Sequence, residues 1–497
     1  MTLPAESSIE AAPRVRTLNA FRITVLIISA STPLATIVGT APLGFAFGGA
    51  SLPAMYVLSG VLIFLFCVGY TQMSRRITRP GAFYVYITRG LGRTAGVSGA
   101  WLALAAYTPF LAGCFAIAPY YGHLILEQEL GINIPWPLYA LFLFTTVGIA
   151  AYRRIDFSAK LLAVFVGLEV LVLVVLDVAM FAKDGTSLLP ADTFSTDISL
   201  STGFGVALVF AIMSFVGFES AALYAPETKN PRRAIPRATY AAVLTITVLY
   251  GLTTWMTVGV FGADKVQNIA LAQFGDLYFN LADQYVGGWL RTTMALLMLV
   301  AQFAVALAIT NATARYTHAL AKEGLLPAWL GKSHASFKSP QNAIVFLLGF
   351  SAVLIFGGWA LGFDPYLDLS SVMFGVGAVG IVAIQAAACL SVIVFFLRES
   401  EGFHWLKTGL APALGLAGLV TAVYLMIDSF SFVSGKDNGF VGILPWLLLA
   451  SAAGGAVYAQ LLKRNHPDRY QRLGRGDSTS DFDDLVAADA WEDSPPR

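Results

Sequence analysis

Two carboxylates, Glu169 and Glu219, stand in stretches otherwise apolar enough to enter a bilayer. Glu219 follows Gly217 by two residues within FAIMSFVGFESAALYAPETKNPRRAIP, Phe210 to Pro236, and Glu169 lies midway along LLAVFVGLEVLVLVVLDVAMF. A charged side chain at the centre of a spanning helix costs about 2.5–3.5 kcal/mol on insertion scales, and residues placed there mark pathways. Apolar surroundings favour the neutral form of a carboxyl, so either group suits the carriage of a proton. The plain alternative for each is a hydrogen bond to a neighbouring helix. Little else in the chain suits bond-breaking chemistry. The histidines His123, His318, His334, His404 and His466 lie at the ends of apolar stretches, in loops or in the tail. They have no metal-ligand spacing, and no serine or cysteine has a recognisable base nearby in sequence. No metal, cofactor or enzymatic activity is expected.

Two further patterns have structural readings. Gly375, Gly377 and Gly380 spell G-x-G-x-x-G inside an apolar run; a dinucleotide fingerprint needs a preceding strand, so close helix packing is expected instead. Asn311-Ala312-Thr313 matches a glycosylation sequon but sits near the inner end of its span, where polar lining or interhelical hydrogen bonding suits it better. Cys67, Cys114 and Cys389 all lie in apolar stretches and read as packing residues.

The elements that must position the two carboxylates follow from composition. Of 497 residues, 57% are hydrophobic and only 12% charged, with a net charge of +1 and a mean hydropathy of +0.70. Soluble domains carry about 25% charged residues, so an integral membrane protein is expected. A helix needs about 20 residues to cross the hydrocarbon core. Twelve stretches qualify: 22–47, 53–74, 95–122, 136–153, 157–182, 203–227, 236–262, 289–320, 342–360, 366–397, 409–432 and 440–463. The first of these is too long for a signal-peptide core, which leaves 1–21 as a cytosolic arm. Twelve crossings put all but Lys183, Lys265, Arg291 and Lys436 of the 31 lysines and arginines on one side. Basic residues favour cytosolic loops, so both termini are expected in the cytosol. The tail from 464 turns acidic and lacks an apolar face, the pattern of disorder.

Span one, ISASTPLATIVGTAPLGFAFGG, carries Pro33, Gly39 and Pro42 across its middle, and span six carries Gly217 and Glu219. A proline inside a helix removes a backbone donor. In a membrane such breaks persist where the freed groups find partners or line a cavity. Broken helices in corresponding positions of two halves point to a transporter's binding site. Spans one to five and six to ten each cross five times, an odd number, so the second set is inverted relative to the first. Half-helix ends then bring N–H groups and carbonyls to the membrane centre, a geometry that suits a small zwitterion or an amine.

These stretches resemble a known family. SFVGFESAALYAPETKNPRRAIPRA is similar to the sixth-helix signature of the amino acid–polyamine–organocation transporters. IVGTAPL resembles that family's first-helix break, GAFYVYITRGLG its loop into the third helix, and NATARYTHALAKEGLLPAWL the end of its eighth. The resemblance implies an all-α membrane protein with a leucine-transporter-like fold of twelve helices. In that fold a five-plus-five inverted repeat, with helices 1 and 6 broken, is followed by two extra helices. Here that means a first repeat at 22–182, a second at 203–398, extra helices at 409–463 and a tail at 464–497. It implies a substrate held by Ile37, Val38, Gly39, Thr40 and Ala41 on one side and by Phe215, Val216, Gly217, Phe218, Glu219 and Ser220 on the other. Met213 stands where some relatives have a gating tryptophan. Where the family often has Gly-Ser/Thr-Gly, this chain has Gly39-Thr40-Ala41 followed by Pro42, with one N–H fewer. Glu169 falls near the position where proton-coupled members carry a charged group in place of a sodium site.

The expected function is a permease of the cell membrane for amino acids, driven by protons through Glu169 or Glu219. An amine or polyamine permease or exchanger of the same family is the alternative, and a channel or membrane enzyme the reading of a different class. Its expected partners are the small solute, the proton and the lipid bilayer, with no nucleic acid.

Overall fold

The computed structural model describes residues 19–77, 82–153, 159–201, 203–219, 228–337, 339–399, 404–434 and 439–473. Among them there are helices and turns but no β-strand. The helices run α1 Ala20–Ser31, α2 Pro33–Gly39, α3 Ala41–Gly48, α4 Leu52–Arg76, α5 Ala82–Leu91, α6 Arg93–Leu130 and α7 Trp136–Arg153. They continue with α8 Ala159–Asp184, α9 Thr196–Ser199, α10 Phe204–Met213, α11 Pro231–Phe261, α12 Val266–Gln273, α13 Leu277–Tyr285 and α14 Gly288–Lys322. The last are α15 Gln341–Ala360, α16 Ser371–Arg398, α17 Ala411–Asp428, α18 Gly439–Asn465 and α19 Pro467–Arg472.

Ten helical stretches among the described residues are long and apolar enough to cross a membrane. Each matches one of the stretches expected from hydropathy. The other two expected crossings differ in kind. Residues 136–153 form α7, whose ends are diluted by Trp136, Tyr152 and Arg153. The 203–227 stretch is helical only over Phe204–Met213 before it unwinds, and 220–227 lie outside the described residues. So does the arm 1–18. The stretch read as tail from 464 is helical as far as Arg472, because α19 docks: the Arg469 guanidinium and the Tyr458 hydroxyl both donate to the Gly324 carbonyl, at 3.3 and 3.0 Å.

Helices of this composition do not associate because they are apolar, since lipid is apolar too; close approach through small residues drives packing. Gly60 of α4 is so near α11 that a Cβ would come within 2.2 Å of the Thr247 hydroxyl. Gly377 and Gly380 of α16 play the same part against α6, where Cβ atoms would fall 2.8 Å from Phe110 Cβ and 2.5 Å from Ala106 Cβ. The G-x-G-x-x-G pattern is thus a packing seam. Two groups result. In one, α1, α4, α10 and α11 pack together with α3; in the other, α6, α7, α14 and α15 do, with α16 against α6 and α10. α8 leans on α1, α11 and α14. The carboxylates lie where the groups meet.

Candidate functional site

The first long stretch breaks once sharply. Thr32 takes the left-handed conformation, φ 40° and ψ 80°, between α1 and α2, rare and strained for a β-branched residue. Pro33 follows and supplies no N–H, so the first donor beyond the break is Leu34. Its N–H is given to Glu169 Oε2 of α8 at 3.3 Å. The sharp break therefore lies at Thr32, just before Pro33, and a milder interruption falls at Thr40, between α2 and α3, inside the expected Ile37–Ala41. At Gly39–Ala41 the chain stays nearly helical, with Thr40 N–H bonded to the Thr36 carbonyl and Gly44 N–H to that of Thr40. Pro42 sits in the first turn of α3, a position that tolerates proline. The Val38 carbonyl, which residue 42 would otherwise serve, accepts from the Tyr121 hydroxyl at 2.6 Å. Its neighbour, the Gly39 carbonyl, accepts from the Tyr366 hydroxyl at 2.8 Å.

The second break is gradual. After α10 the hydrogen bonds shorten their span, from Ser214, Phe215 and Val216 back to residues three earlier, and Gly217 then turns to φ 109°. Glu219 satisfies what this frees. Its Oε2 accepts from Gly217 N–H at 3.0 Å, and its Oε1 from the Tyr107 hydroxyl of α6 at 2.6 Å. Tyr70 of α4 donates to the Glu219 carbonyl at 3.2 Å. The two breaks touch: a Cβ on Gly217 would stand 2.8 Å from Ala30 Cβ and 3.2 Å from the Ala30 carbonyl carbon. Only glycine fits there, on both counts.

Two cavities flank Thr32. The larger is walled by Ala30 to Thr32, Ala35, Thr36 and Thr40 of the first stretch and by Met213, Ser214 and Val216 of the second. Phe110, Cys114 and Ile117 of α6, Gln302, Val305 and Ile309 of α14, and Phe374 of α16 close it. The smaller lies between α1, α8 and α14, where Ser29, Thr32, Val166, Glu169 and Ala301 line it. Neither Glu169 nor Glu219 lines the larger one.

Of the residues expected at the site, Thr40, Met213 and Val216 line the larger cavity and Gly217 forms the contact between breaks. Ile37, Val38, Gly39 and Ala41 are buried just beyond it. Phe215 and Phe218 are fully buried away from it, Phe218 edge-on to Phe66 at 5.6 Å. Ser220 lies outside the described residues. What sequence reasoning missed is one face of α6. Tyr107, Phe110, Cys114, Ile117 and Tyr121 recur at three- and four-residue spacing, which is one helix face, and run the length of the site. Asp177, one face-repeat from Glu169, is also buried; Thr253 donates to its Oδ2 at 2.8 Å and its Oδ1 has no partner.

The end of the site beyond Gly39 is closed by rings. Tyr120 stacks on Tyr366 at 4.4 Å, and Tyr121 and Phe274 meet Tyr366 edge-on. Gln128 ties this lid to the loop before α13 by donating to Asp276 Oδ1 at 2.9 Å, and Arg291 donates to Gln128 at 2.6 Å. Burial raises the Asp276 carboxyl above the usual carboxylate range, while the Gln128 hydrogen bond and Arg291 pull it back.

A site of two touching helix breaks agrees with what the chain resembles as a whole. An uncharacterized transporter of Mycobacterium tuberculosis is 25% identical over 78% of this chain and 80% of its own length. The branched-chain amino acid permease of Bacillus subtilis is 24% identical over 91% of this chain and 94% of its own. The human cystine/glutamate transporter is 22% identical over 68% and 67%. Residues 18–452 match the family described as amino acid permease, and the chain belongs to that family of multi-pass membrane transporters.

Proposed function

We propose that this protein is a secondary active transporter that takes up a small amino acid across the cell membrane together with a proton. The observation that carries the reading is the contact of the two breaks, Gly217 against Ala30, beside a buried cavity. Transporters place their solute where two discontinuous helices meet. Amino acids as the solute class follow from the family and from its named relatives. The amine alternative needs carboxylates facing the solute, and none lines the larger cavity.

The topology we infer has twelve spans, with α7 and the α10 stretch added to the ten long ones, and both termini in the cytosol. Its first repeat covers 22–182, its inverted second repeat 203–398, and its extra helices 409–463. The packing favours this arrangement: α1 meets α11 as α10 meets α4, α6 meets α14, and α7 meets α15. These are the pairings an internal two-fold axis would exchange. Alternating access then rocks the group containing α1, α4, α10 and α11 against the group containing α6, α7, α14 and α15.

Of the expected residues, Thr40, Met213, Val216 and Gly217 remain the proposed immediate surroundings of the solute, with Ala30 to Thr32 added, and Ile37, Val38, Gly39, Ala41, Phe215 and Phe218 are proposed as the packing behind them. Glu169 is the proposed proton carrier. Its carboxyl borders the smaller cavity and accepts the Leu34 N–H just past the Thr32 break, so gaining a proton changes the partner that holds this break. Glu219 is the second candidate, with both oxygens already engaged. The test is uptake of radiolabelled amino acids by proteoliposomes. Accumulation should appear only when the outside is made acidic; uptake indifferent to the pH gradient removes the proton from the reading.

A further inference from the structure

The inner faces of the larger cavity are almost wholly apolar on the side away from the breaks. Along α14, the residues Met298, Gln302, Val305 and Ile309 share one face, and Gln302 alone among them is polar. Its side chain is only 4% exposed. Among the described residues its sole hydrogen bond is a weak one, from Nε2 to Met298 Sδ at 3.9 Å. The amide lies against the first span, since a Cβ on Gly39 would come within 3.5 Å of Nε2. The other polar groups around the cavity are largely spent: the Ser31, Thr36, Thr40 and Ser214 hydroxyls all donate to backbone carbonyls.

An amide buried without a proper partner is costly unless something else supplies one. It both donates and accepts, which matches a hydroxyl or another amide. An ammonium side chain would use only the acceptor and a carboxylate only the donor, and either would bring a charge that nothing lining the cavity compensates. An aliphatic side chain would leave the amide unpaired. Resting on the amino acid permease reading, we propose that Gln302 is a specificity-determining residue. Its amide hydrogen-bonds the side chain of the solute, and the preferred solute is a neutral amino acid carrying a hydroxyl or carboxamide. Sites built to hydrogen-bond a polar group reject analogues lacking it far better than apolar pockets reject a methylene.

The test is direct uptake of labelled serine, threonine, asparagine, glutamine, valine, leucine, lysine and glutamate by the full chain in proteoliposomes. It compares wild type with Gln302→Leu and Gln302→Asn. Wild type should show a KM for at least one hydroxyl or carboxamide solute tenfold or more below those for valine and leucine, with lysine and glutamate excluded. Gln302→Leu should raise that KM at least tenfold while valine uptake holds or improves, which also proves the variant folded. Gln302→Asn should keep the wild-type order. A wild type that prefers aliphatic or charged solutes overturns the assignment. So does a Gln302→Leu variant whose KM rises equally for all solutes, because the amide would then bind the common ammonium or carboxylate. No uptake of any amino acid by wild type overturns the permease reading itself, and this assignment with it.

Discussion

The two breaks solve one problem with different parts. At Thr32 the carboxylate that takes the freed N–H comes from another helix, Glu169 of α8 to Leu34. At Gly217 it comes from the same segment two residues on, Glu219. A carboxylate borrowed from a neighbouring helix ties the state of the break to the packing of α8 against α1 and α2. One supplied locally only caps its own turn, and its link outward runs through the Tyr107 hydroxyl. The conformational cost is also unevenly placed. Thr32 holds a left-handed turn that a β-branched residue resists, whereas the second break uses glycine, for which φ 109° costs little.

The largest effect that would break this comparison is expected from Gly217→Ala. A Cβ there meets Ala30 at 2.8 Å and forces a positive φ on an L residue, a strain of about 1–3 kcal/mol before any clash. Transport should fall at least a hundredfold (about 2.7 kcal/mol) with the protein still inserted, as uptake per reconstituted molecule would show; retained activity would mean the breaks need not touch. Next is Tyr107→Phe. It removes one hydrogen bond to a carboxylate, worth about 1.5–3 kcal/mol, and should slow uptake at least about tenfold while leaving the pH dependence intact. A lost pH dependence would move the coupling role from Glu169 to Glu219.

Thr32→Gly should raise stability by about 1 kcal/mol, the gain of a residue at ease in the left-handed region, read as a higher midpoint of thermal unfolding in detergent. An unchanged or lower midpoint would show that the hydroxyl outweighs the strain. The smallest effect is expected at the lid. The Asp276 carboxyl has its pKa raised by burial, so the folded state holds its proton more tightly than the unfolded one. Its contribution is therefore favourable in acid and declines as pH rises through the folded value. Asp276→Asn should flatten that decline, measured as the unfolding midpoint against pH, and only slightly, since the group is partly exposed to solvent.

Hydropathy made the fold readable wherever a span is long and uninterrupted, and it found Trp136–Arg153 to the residue although aromatic ends weaken the signal. The second break was readable because Gly217 and Glu219 are both out of place in an apolar helix. The first was readable in part: the interruption at Thr40 falls where expected, but the sharp turn is at Thr32. Pro33, Gly39 and Pro42 all mark backbone tolerance, but only Pro33 follows a residue driven left-handed; Pro42 fits a first helical turn and Tyr121 takes the carbonyl it frees. That compensation comes from α6, 83 residues away, and spacing cannot announce it. The site face of α6 and the cavity-facing Gln302 amide of α14 were hidden for the same reason. A helix with every face apolar does not say which side meets a cavity until its neighbours are in place.

The claim on which the account stands is that Glu169, and not Glu219, carries the proton. A pH-sensitive dye inside proteoliposomes reads it during solute addition, in wild type, Glu169→Gln and Glu219→Gln. Proton entry should accompany solute in wild type and Glu219→Gln and vanish in Glu169→Gln, with solute counterflow persisting in all three. Undiminished proton entry in Glu169→Gln would contradict it.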